Sequence, residues 1–553
     1  MTTPTPPSPD PTPELTDRGP AEASSSDHRS IVLVFAGLMI TMLLASLDQM
    51  IFSTALPTIV GELNGVNHML WVTTAYILAS TIMMPVYGKL GDLIGRKGLF
   101  IGAISIFIAG SIIGGLAPGM TALIIGRAVQ GLGGGGLILL SQAIIADVIP
   151  ARERGKYMGA MGGVFALASV GGPLLGGWFT ESIGWRWAFW INVPLGFLAI
   201  AAAVLFLHLP KGRTTKPTID GWGMALIAVA ATCLILFTTW GGNTYAWGST
   251  VIIGLIVGAV GASIAFVMVE RRSAEPIIPL HLFAERNFVL TTVAGLITGI
   301  AMFGALAYLP TYLQMVTGKN ATEAGLLMIP MMAGLLVASI GSGQVVSKTG
   351  RYKWFPIIGT LIVAGALVLL STLTPTTSLV VIGCYIALMG VGLGLGMQIL
   401  ILIVQNTFPA SEVGTATASN NFFRQIGASL GAAIVGSLFT TRLTNLLAER
   451  MPETGAALPR GENSLTPAIL KSLPEPVREV IIGAYNDALT PIFLYMVPLV
   501  ILAVLLLLFV QEKPLATRID REPNVDLIGA LDGPEDGQTA ASGIGSPQTS
   551  TSR

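Results

Sequence analysis

The segment Gly88-Lys89-Leu90-Gly91-Asp92-Leu93-Ile94-Gly95-Arg96-Lys97 decides the fold of this chain. It holds one acid, three bases and three glycines, whereas only 11% of all residues are charged. Long apolar runs, 71–87 and 99–116, lie on either side of it. A short charged loop between two candidate spans must lie at a membrane surface, and its basic excess favours the cytoplasmic side. We therefore expect the chain to cross a membrane before and after this loop.

Apolar runs of this kind recur along the whole chain of 553 residues, of which 52% are hydrophobic and 66 are glycine. Runs of about 20 apolar residues are typical of membrane-spanning helices, and abundant glycine favours close helix packing in lipid. The sequence therefore predicts an all-α polytopic membrane protein with fourteen transmembrane helices, near 31–56, 69–87, 99–117, 120–145, 157–179, 187–208, 221–240, 250–269, 288–313, 324–345, 354–373, 378–404, 414–439 and 491–511.

The distribution of lysine and arginine predicts the orientation of these helices. With both termini in the cytoplasm, the short extracytoplasmic loops carry only Arg186 and Lys319. The cytoplasmic loops then carry Lys89, Arg96, Lys97, Arg152, Arg154, Lys156, Lys211, Arg213, Lys216, Arg271, Arg272, Arg286, Lys348, Arg351 and Lys353. We predict disordered cytoplasmic tails at 1–30 and 512–553. We also predict a long extracytoplasmic segment at 440–490, with an amphipathic surface helix near 469–482.

A weak internal repeat predicts how the helices are grouped. The glycine and arginine pattern of 88–96 recurs at 343–351, and the Pro-Ala-x-Glu-x-Gly pattern of 150–155 recurs at 409–414. The repeat relates helices 1–6 to helices 9–14. We therefore expect a six-helix bundle at 31–208, two inserted helices with their linkers at 209–287, and a second six-helix bundle at 288–511. Such parallel halves are a transporter architecture, with the substrate site between them.

The charge balance and the cysteine and histidine positions argue against other classes. Thirty basic and thirty acidic residues leave no surplus for nucleic acid, and we expect a monomer in the lipid bilayer. Cys233 and Cys384 lie inside apolar runs, so we expect neither a disulfide nor a metal site. A membrane-embedded enzyme would need clustered acids and histidines, whereas the histidines lie in the tail, in loops or at a span end: His28, His68, His208 and His281.

Asp48 and Arg127 are the charged residues of the first half that call for a function. Each stands in an otherwise uncharged span, where a charge costs a few kcal/mol on insertion scales. At 1.5 Å per residue, both lie roughly 12–14 Å below the extracytoplasmic face, so they can pair. Asp48 could then couple transport to protons, with a structural ion pair as the alternative.

Other polar side chains within the spans are candidates for a substrate cavity, although each could instead make an interhelical hydrogen bond. They are Tyr76, Gln130, Tyr308, Tyr312, Gln314, Gln398, Asn421 and Arg424. Arg424 has no acid in its own span and could also serve in helix packing. Because Asp48 stands against both Arg127 and Arg424, the cavity has no negative surplus. We expect neutral, zwitterionic or weakly charged amphiphiles to fit better than multivalent cations.

Several segments together resemble the drug:proton antiporters of the major facilitator superfamily. The loop at 88–97 resembles that superfamily's signature between helices 2 and 3. The first-helix, fourth-helix and fifth-helix motifs of the antiporter branch are matched by 47–57, 127–134 and 171–177. Trp185-Arg186-Trp187 with the residues up to Pro194, and Tyr308-Leu-Pro310-Thr-Tyr312-Leu-Gln314, resemble segments of the fourteen-helix subfamily.

The resemblance implies roles for two of these motifs. The antiporter motif, Gly171, Gly172, Pro173, Gly176 and Gly177, would form a tight seal that disfavours leak and marks export. The loop would stabilise the outward-open state as a conformational latch through Gly88, Asp92, Gly95, Arg96 and Lys97. Asp92 could face the positive N-terminal end of the helix that begins near Gly414.

The sequence analysis thus predicts a proton-coupled antiporter that exports amphipathic small molecules, such as drugs or toxic compounds, across the cytoplasmic membrane by alternating access. The glycine-rich runs lie inside spans and lack a following Lys-Ser or Lys-Thr, so we expect no nucleotide site and no cofactor. The proton gradient would supply the energy. An exporter of a lipid or an endogenous metabolite on the same fold remains the alternative; the antiporter motif and the repeat argue against a channel.

Overall fold

The computed structural model describes residues 25–63, 68–209, 220–242, 244–319, 321–450, 470 and 473–517. Within these ranges the chain forms helices and no strands, and fourteen helical segments are long and apolar enough to cross a membrane. The predicted all-α fold with fourteen candidate spans is therefore confirmed. The helices are α1 (Ser25–Glu62), α2 (Met69–Ile94), α3 (Arg96–Gly115), α4 (Met120–Val148), α5 (Ala151–Trp178), α6 (Trp187–Trp190), α7 (Asn192–Phe206), α8 (Gly221–Trp240), α9 (Thr250–Glu270), α10 (Arg286–Thr317), α11 (Ala321–Leu326), α12 (Ile329–Thr349), α13 (Trp354–Ser371), α14 (Leu379–Thr407), α15 (Val413–Arg450) and α16 (Glu475–Leu508).

Helix α4 packs between α2 and α3 in the first half of the chain, α1–α7. Its glycines make this possible because helix backbones can approach closely only where no side chain intervenes. A Cβ added at Gly131 or Gly135 would collide with a carbonyl of α2, and one at Gly133 would collide with a carbonyl of α3. The glycine run of this span is thus a packing surface.

Helix α14 has the same position in the second half, α10–α16, where it packs between α12 and α13. A Cβ at Gly390 or Gly394 would collide with a carbonyl of α12, and one at Gly392 would collide with a carbonyl of α13. Glycines therefore allow close packing at corresponding helices of the two halves, as expected of an internal repeat.

Helices α8 and α9 pair with each other between the two halves of the sequence. The segment that follows them, residues 271–285, is called the strap below and includes a 3-10 turn at Leu280–Ala284. The carboxylate of Glu270 accepts hydrogen bonds from the amides of Ile277 (3.0 Å) and Ile278 (3.4 Å). Both isoleucines are buried in a cluster with Phe422 of α15. The strap is therefore held firmly at its start and rests against the second half.

The segment 440–490 differs from the sequence prediction. Helix α15 continues to Arg450, and α16 begins at Glu475, with no separate surface helix at 475–482. Val477 and Ile481 are buried in the core of the second half because they continue the apolar face of the spanning helix. An ion pair of 2.7 Å between Arg450 and Asp487 joins the two extensions. Residues 451–469 lie outside the described part of the chain.

The predicted tails also differ where the structure describes them. Residues 25–30 belong to α1, and 512–517 pack against the second half instead of forming a disordered tail. Leu515 is buried, and the Tyr352 hydroxyl accepts a hydrogen bond from the Lys513 amide (2.7 Å) and donates one to its carbonyl (3.0 Å). Further hydrogen bonds join Gln511 to the side chain of Asn287, the Glu512 carboxylate to the Tyr352 amide, and the Ala516 carbonyl to the Arg152 amide of α5, so a network of polar contacts holds this segment. Residues 1–24, 518–553 and the loop 210–219 lie outside the described residues.

Candidate functional site

Asp48 and Arg127 form an ion pair inside the first half. Arg127 Nη1 lies 2.5 Å from Asp48 Oδ2, and the two side chains are 2% and 0% exposed. Asp48 is on α1, and Arg127 is on α4, which runs in the opposite direction at the same depth. Two charges removed from water are stable only when both are paired and hydrogen-bonded. The structure thus brings together the two residues that the sequence singled out.

Three further polar side chains complete this buried cluster. Gln130 Nε2 donates to Asp48 Oδ1 (3.1 Å), and Asn192 Nδ2 donates to the same oxygen (2.9 Å). Ser111 Oγ accepts from Gln130 Nε2 (2.7 Å) and Asn192 Nδ2 (3.3 Å). We call Asp48, Arg127, Gln130, Asn192 and Ser111 the buried polar cluster. It joins α1, α3, α4 and α7, and all five members are buried.

Aromatic rings hold the Arg127 guanidinium from both sides. Its central carbon lies 4.3 Å from the ring centroid of Phe52 and 4.3 Å from that of Tyr76. A desolvated cation over a ring face gains about 2 kcal/mol. Tyr76, predicted to line the cavity, is instead a wall of the buried polar cluster, and Phe52 has the same role.

The charged loop at 88–97 joins the two halves. We call the end of the helices that carries this loop the loop face. The Asp92 carboxylate accepts hydrogen bonds from the Gly414 amide (3.2 Å), the Thr415 amide (2.7 Å) and the Thr415 hydroxyl (2.7 Å). These donors are the first turn of α15, where the helix dipole favours an anion. A Cβ at Gly414 would collide with the carboxylate, which explains the glycine at this position.

The bases of the loop have different environments. Arg96 is buried and pairs with Asp92 (2.7 Å) and Asp147, and it also donates to the Ala143 carbonyl (2.7 Å). Lys97 is half-buried and donates to the Val204 carbonyl (3.1 Å). Arg96 therefore orients Asp92, whereas Lys97 only binds the end of α7.

Glycines allow the halves to approach closely at the loop face. A Cβ at Gly88 of α2 would collide with Ala418 of α15, and one at Gly155 of α5 would collide with the backbone of Gly343 in α12. At Gly95 the backbone has φ of 94°, which lets α3 start directly after α2. We call these contacts between α2 and α15 and between α5 and α12 the seam. The structure is closed at the loop face.

The strap lies over the seam and contacts both halves. Lys89 Nζ in the loop lies 2.6 Å from Glu275, and His281 Nε2 lies 3.0 Å from Glu412, just before α15. A cavity of about 280 Å³ remains between the strap and the seam, and Asp92 and Thr415 are among its lining residues. The two inserted helices are therefore connected to the loop at 88–97 through the strap.

The antiporter motif of α5 packs against α1, but its five residues differ in contact. A Cβ at Gly172 would collide with Met50, and one at Gly176 would collide with Thr54 and the Ile51 carbonyl. At Gly171 a Cβ would only touch Leu47, and at Gly177 it would meet nothing within 4 Å. The helix continues through Pro173, and a π-helical turn follows at Phe179–Ile183. Close packing thus rests on Gly172 and Gly176.

The structure does not gather the predicted cavity residues at one place. Tyr76 and Gln130 belong to the buried polar cluster. The Tyr312 hydroxyl donates to Asn486 Oδ1 (2.8 Å) inside the second half, and Tyr308 packs on Phe439. Gln314 is half-buried in α10, and Gln398 is buried near the contact of α5 with α12.

Asn421 and Arg424 lie between the halves. Asn421 Nδ2 donates to Gln142 Oε1 of α4 (2.7 Å), and Asn421 Oδ1 accepts from Arg424 Nη2 (2.8 Å). Gln405 adds a second link, from its Nε2 to the Gln142 carbonyl (3.2 Å). These contacts place Arg424 at the interface of the halves, farther from the loop face than Asn421.

Sequence reasoning did not find Ser111, Gln142 or Asn192, which contribute to these two networks. Asn192 is the single amide of its apolar span, Gln142 shares its span with Gln130, and amides in such spans need a partner in lipid. Comparing their depths with that of Asp48 and Asn421 could have identified both amides. A serine such as Ser111 can satisfy its hydroxyl within its own helix, as it does with the Phe107 carbonyl (2.9 Å), so its sequence carries no such signal.

Comparisons with known proteins agree with this architecture. The family model "Major Facilitator Superfamily" matches residues 38–432. The chain is 38% identical to the multidrug transporter protein MdtP of Bacillus subtilis, over 78% of this chain and 80% of that protein. It is 33% identical to multidrug resistance protein 3 of the same organism, over 90% and 98%. The solved structure of the proton:xylose symporter XylE has a TM-score of 0.57 at 16% identity, over 88% of this chain and 98% of that one.

The fourteen candidate spans, the family match and the relatives that are named transporters lead to one assignment. The chain is a multi-pass membrane transporter and not an enzyme, and it belongs to the Major Facilitator Superfamily.

Proposed function

We propose that the protein is a proton-coupled antiporter that exports amphipathic small molecules across the cytoplasmic membrane by alternating access of its two halves. The observation that carries this proposal is the buried pair of Asp48 and Arg127, whose carboxylate has no contact with water. The relatives named as multidrug transporters support export of drug-like compounds. We further propose that the loop face is cytoplasmic, since its short loops hold most of the basic residues.

In this proposal the ion pair holds the first half in one arrangement. Asp48 accepts from Arg127, Gln130 and Asn192, so its charged form is fully satisfied. A proton that arrives from the extracytoplasmic side removes the charge and leaves Arg127 with the rings of Phe52 and Tyr76. The donors then rearrange, and α1 is free to move relative to α4. Because α5 packs on α1 through Gly172 and Gly176, a movement of α1 reaches the contact between the halves.

The loop at 88–97 acts as the latch of the extracytoplasmic-open state. Asp92 binds the N-terminus of α15 only while the loop face is closed, because donor and acceptor belong to different halves. Opening the loop face to cytoplasmic substrate breaks these hydrogen bonds. The latch and the proton site would thus favour opposite stages of one cycle.

The test uses purified protein in lipid vesicles with an imposed pH gradient and a panel of anionic, neutral and cationic fluorescent dyes. The wild-type protein should move at least one dye against its gradient. Asp48→Asn should fold and insert normally but lose the dependence on the pH gradient. Asp487→Asn is the matched control because this half-exposed acid pairs with Arg450 far from the buried polar cluster. Gradient-driven transport in the Asp48→Asn protein would refute the proposal, since the remaining cluster has no carboxylate.

A further inference from the structure

Arg424 is a cation between the two halves for which the structure provides no acidic partner. In the described part of the chain no carboxylate lies within 4 Å of it, and Asn421 accepts its hydrogen bond. The buried arginines Arg96 and Arg127 both pair with aspartates. Arg154, buried near the loop face, instead donates to the carbonyls of Ile149 (2.8 Å) and Ala146 (2.6 Å). Among the described residues, Arg424 has neither an aspartate nor a backbone carbonyl as a partner.

The depth of Arg424 makes this unusual. It follows Gly414, in the first turn of α15, by ten residues, so it lies about 15 Å from the loop face. A charge at such a depth is expensive and is found where it lines a substrate pathway or pairs with another group. Arg424 is half-buried, so part of this residue remains accessible although it lies deep in the helix bundle.

Two neighbours place Arg424 between the halves. One turn earlier on α15, Asn421 hydrogen-bonds Gln142 of the first half. The backbone of Arg424 itself packs on Gly299 of α10. Arg424 therefore lies where α10, α15 and the first half meet, six residues deeper along α15 than Ala418, which contacts Gly88 at the seam.

We propose that Arg424 binds an acidic group of the transported compound, so that the preferred substrates are amphipathic organic anions or zwitterions with a carboxylate, sulfonate or phenolate. This proposal rests on the proposed function as an exporter. A guanidinium presents five donors in a planar fork that suits such oxygen pairs, and among the described residues Asn421 alone accepts a hydrogen bond from it. Because Asp48 is already neutralised by Arg127, the uncompensated charge between the halves is the positive charge of Arg424.

The hydrogen bonds of Arg424 also connect substrate binding to the seam. The path runs from Arg424 to Asn421 and on to Gln142 of the first half. An anion that draws the guanidinium away from Asn421 frees one lone pair of that amide, which still holds Gln142. Binding of an anion at Arg424 therefore changes the hydrogen bonding of Asn421, which contacts Gln142 of the first half.

The test compares binding of two xanthene dyes, anionic fluorescein and cationic rhodamine 6G, by fluorescence anisotropy on the detergent-solubilised full-length protein without any gradient. We expect the wild type to bind fluorescein more tightly. Arg424→Gln should weaken fluorescein binding by about tenfold or more, since charge-assisted bonds are roughly twice as strong as neutral ones. Arg424→Lys should retain part of the affinity because it keeps the charge and loses the fork. Rhodamine 6G binding should stay equal or improve in both variants.

Arg442→Gln is the matched control. Arg442 lies on the same helix, is also half-buried, and donates to the Asp487 carbonyl (3.2 Å) and the Tyr495 hydroxyl (3.4 Å). It should bind both dyes like the wild type. Equal losses for both dyes in Arg424→Gln, or tighter binding of rhodamine 6G by the wild type, would overturn the inference. Since binding needs no proton gradient, this result is independent of the vesicle test of antiport.

Discussion

Asp92→Asn is the substitution that most directly tests the closed loop face. Asp92 accepts three hydrogen bonds from the first turn of α15, two from backbone amides and one from the Thr415 hydroxyl. A hydrogen bond to a charged group contributes about 1.5–3 kcal/mol and a neutral one about 0.5–1.5, so each bond loses about 1 kcal/mol. The ion pair of Asp92 with Arg96 lies within the first half, so we expect it to persist in the open state and to cancel from the comparison.

The three bonds together give a loss of about 3 kcal/mol from the closed state. At 1.4 kcal/mol for each factor of ten, the ratio of closed to open molecules should fall roughly 150-fold. Thr415→Val removes one of the three bonds and leaves both amides in place. This variant should lower the same ratio by about tenfold. Asp92→Glu keeps the charge and should remain near the wild type.

Distances measured between two spin labels can report the ratio of closed to open molecules. Nitroxide labels at positions 156 and 348 lie on exposed residues of α5 and α12, on opposite sides of the seam. Cys233 and Cys384 would first be replaced by serine. We expect one short distance in the wild type and a second, longer distance in the Asp92→Asn protein, with Thr415→Val between them. An unchanged distance distribution in a folded Asp92→Asn protein would refute the latch and the energies assigned to it.

Three further predictions follow from the contacts described above. Gly88→Val should prevent closure of the loop face and abolish transport, because even a Cβ collides with α15 there; the same spin labels should report the long distance. Tyr352→Phe removes the two hydrogen bonds between this hydroxyl and Lys513, so amide hydrogen exchange should become faster at Lys513 and not in α13, whereas the hydrogen bonds of Gln511 and Ala516 should persist. At the face opposite the loop face, the Arg186 guanidinium lowers the pKa of Glu62. This ion pair therefore stabilises the fold above about pH 4.5, and its contribution to the free energy of unfolding is lost as the pH falls through the lowered pKa of Glu62. Glu62→Gln should therefore flatten the acid limb of the thermal-stability profile slightly, since both side chains are exposed.

The span pattern could be predicted from the sequence because lipid imposes it directly. Every apolar run of sufficient length becomes a helix when no water is present to satisfy its backbone. The same rule explains the error at 475–482. An amphipathic pattern such as Val477 and Ile481 fits a surface helix and the end of a spanning helix equally well, and only the packing against α15 decides between them.

The site was predictable only in part. Asp48 and Arg127 are visible in the sequence because an isolated charge in a span requires a partner. Asn192 completes the same cluster, yet it lies in the sixth span whereas Asp48 lies in the first, and its contact with Asp48 depends on how α7 packs on α1 and α3. Polarity alone marks the eight cavity candidates in the sequence. Polarity does not distinguish a residue that lies between the halves, such as Arg424, from one whose hydrogen bond is made inside a half, such as Tyr312.

The strap has a consequence for the modular view of this chain. The internal repeat suggests that α8 and α9 could be excised to leave a twelve-helix protein with two intact halves. Excising α8, α9 and the strap would keep every residue of the seam but remove Glu275 and His281, the partners of Lys89 and Glu412. It would also uncover Phe422 of α15, on which Ile277 and Ile278 of the strap pack. We therefore expect a shortened protein to retain its two halves but to lose the ion pairs that the strap makes with both of them, so that it closes less stably at the loop face.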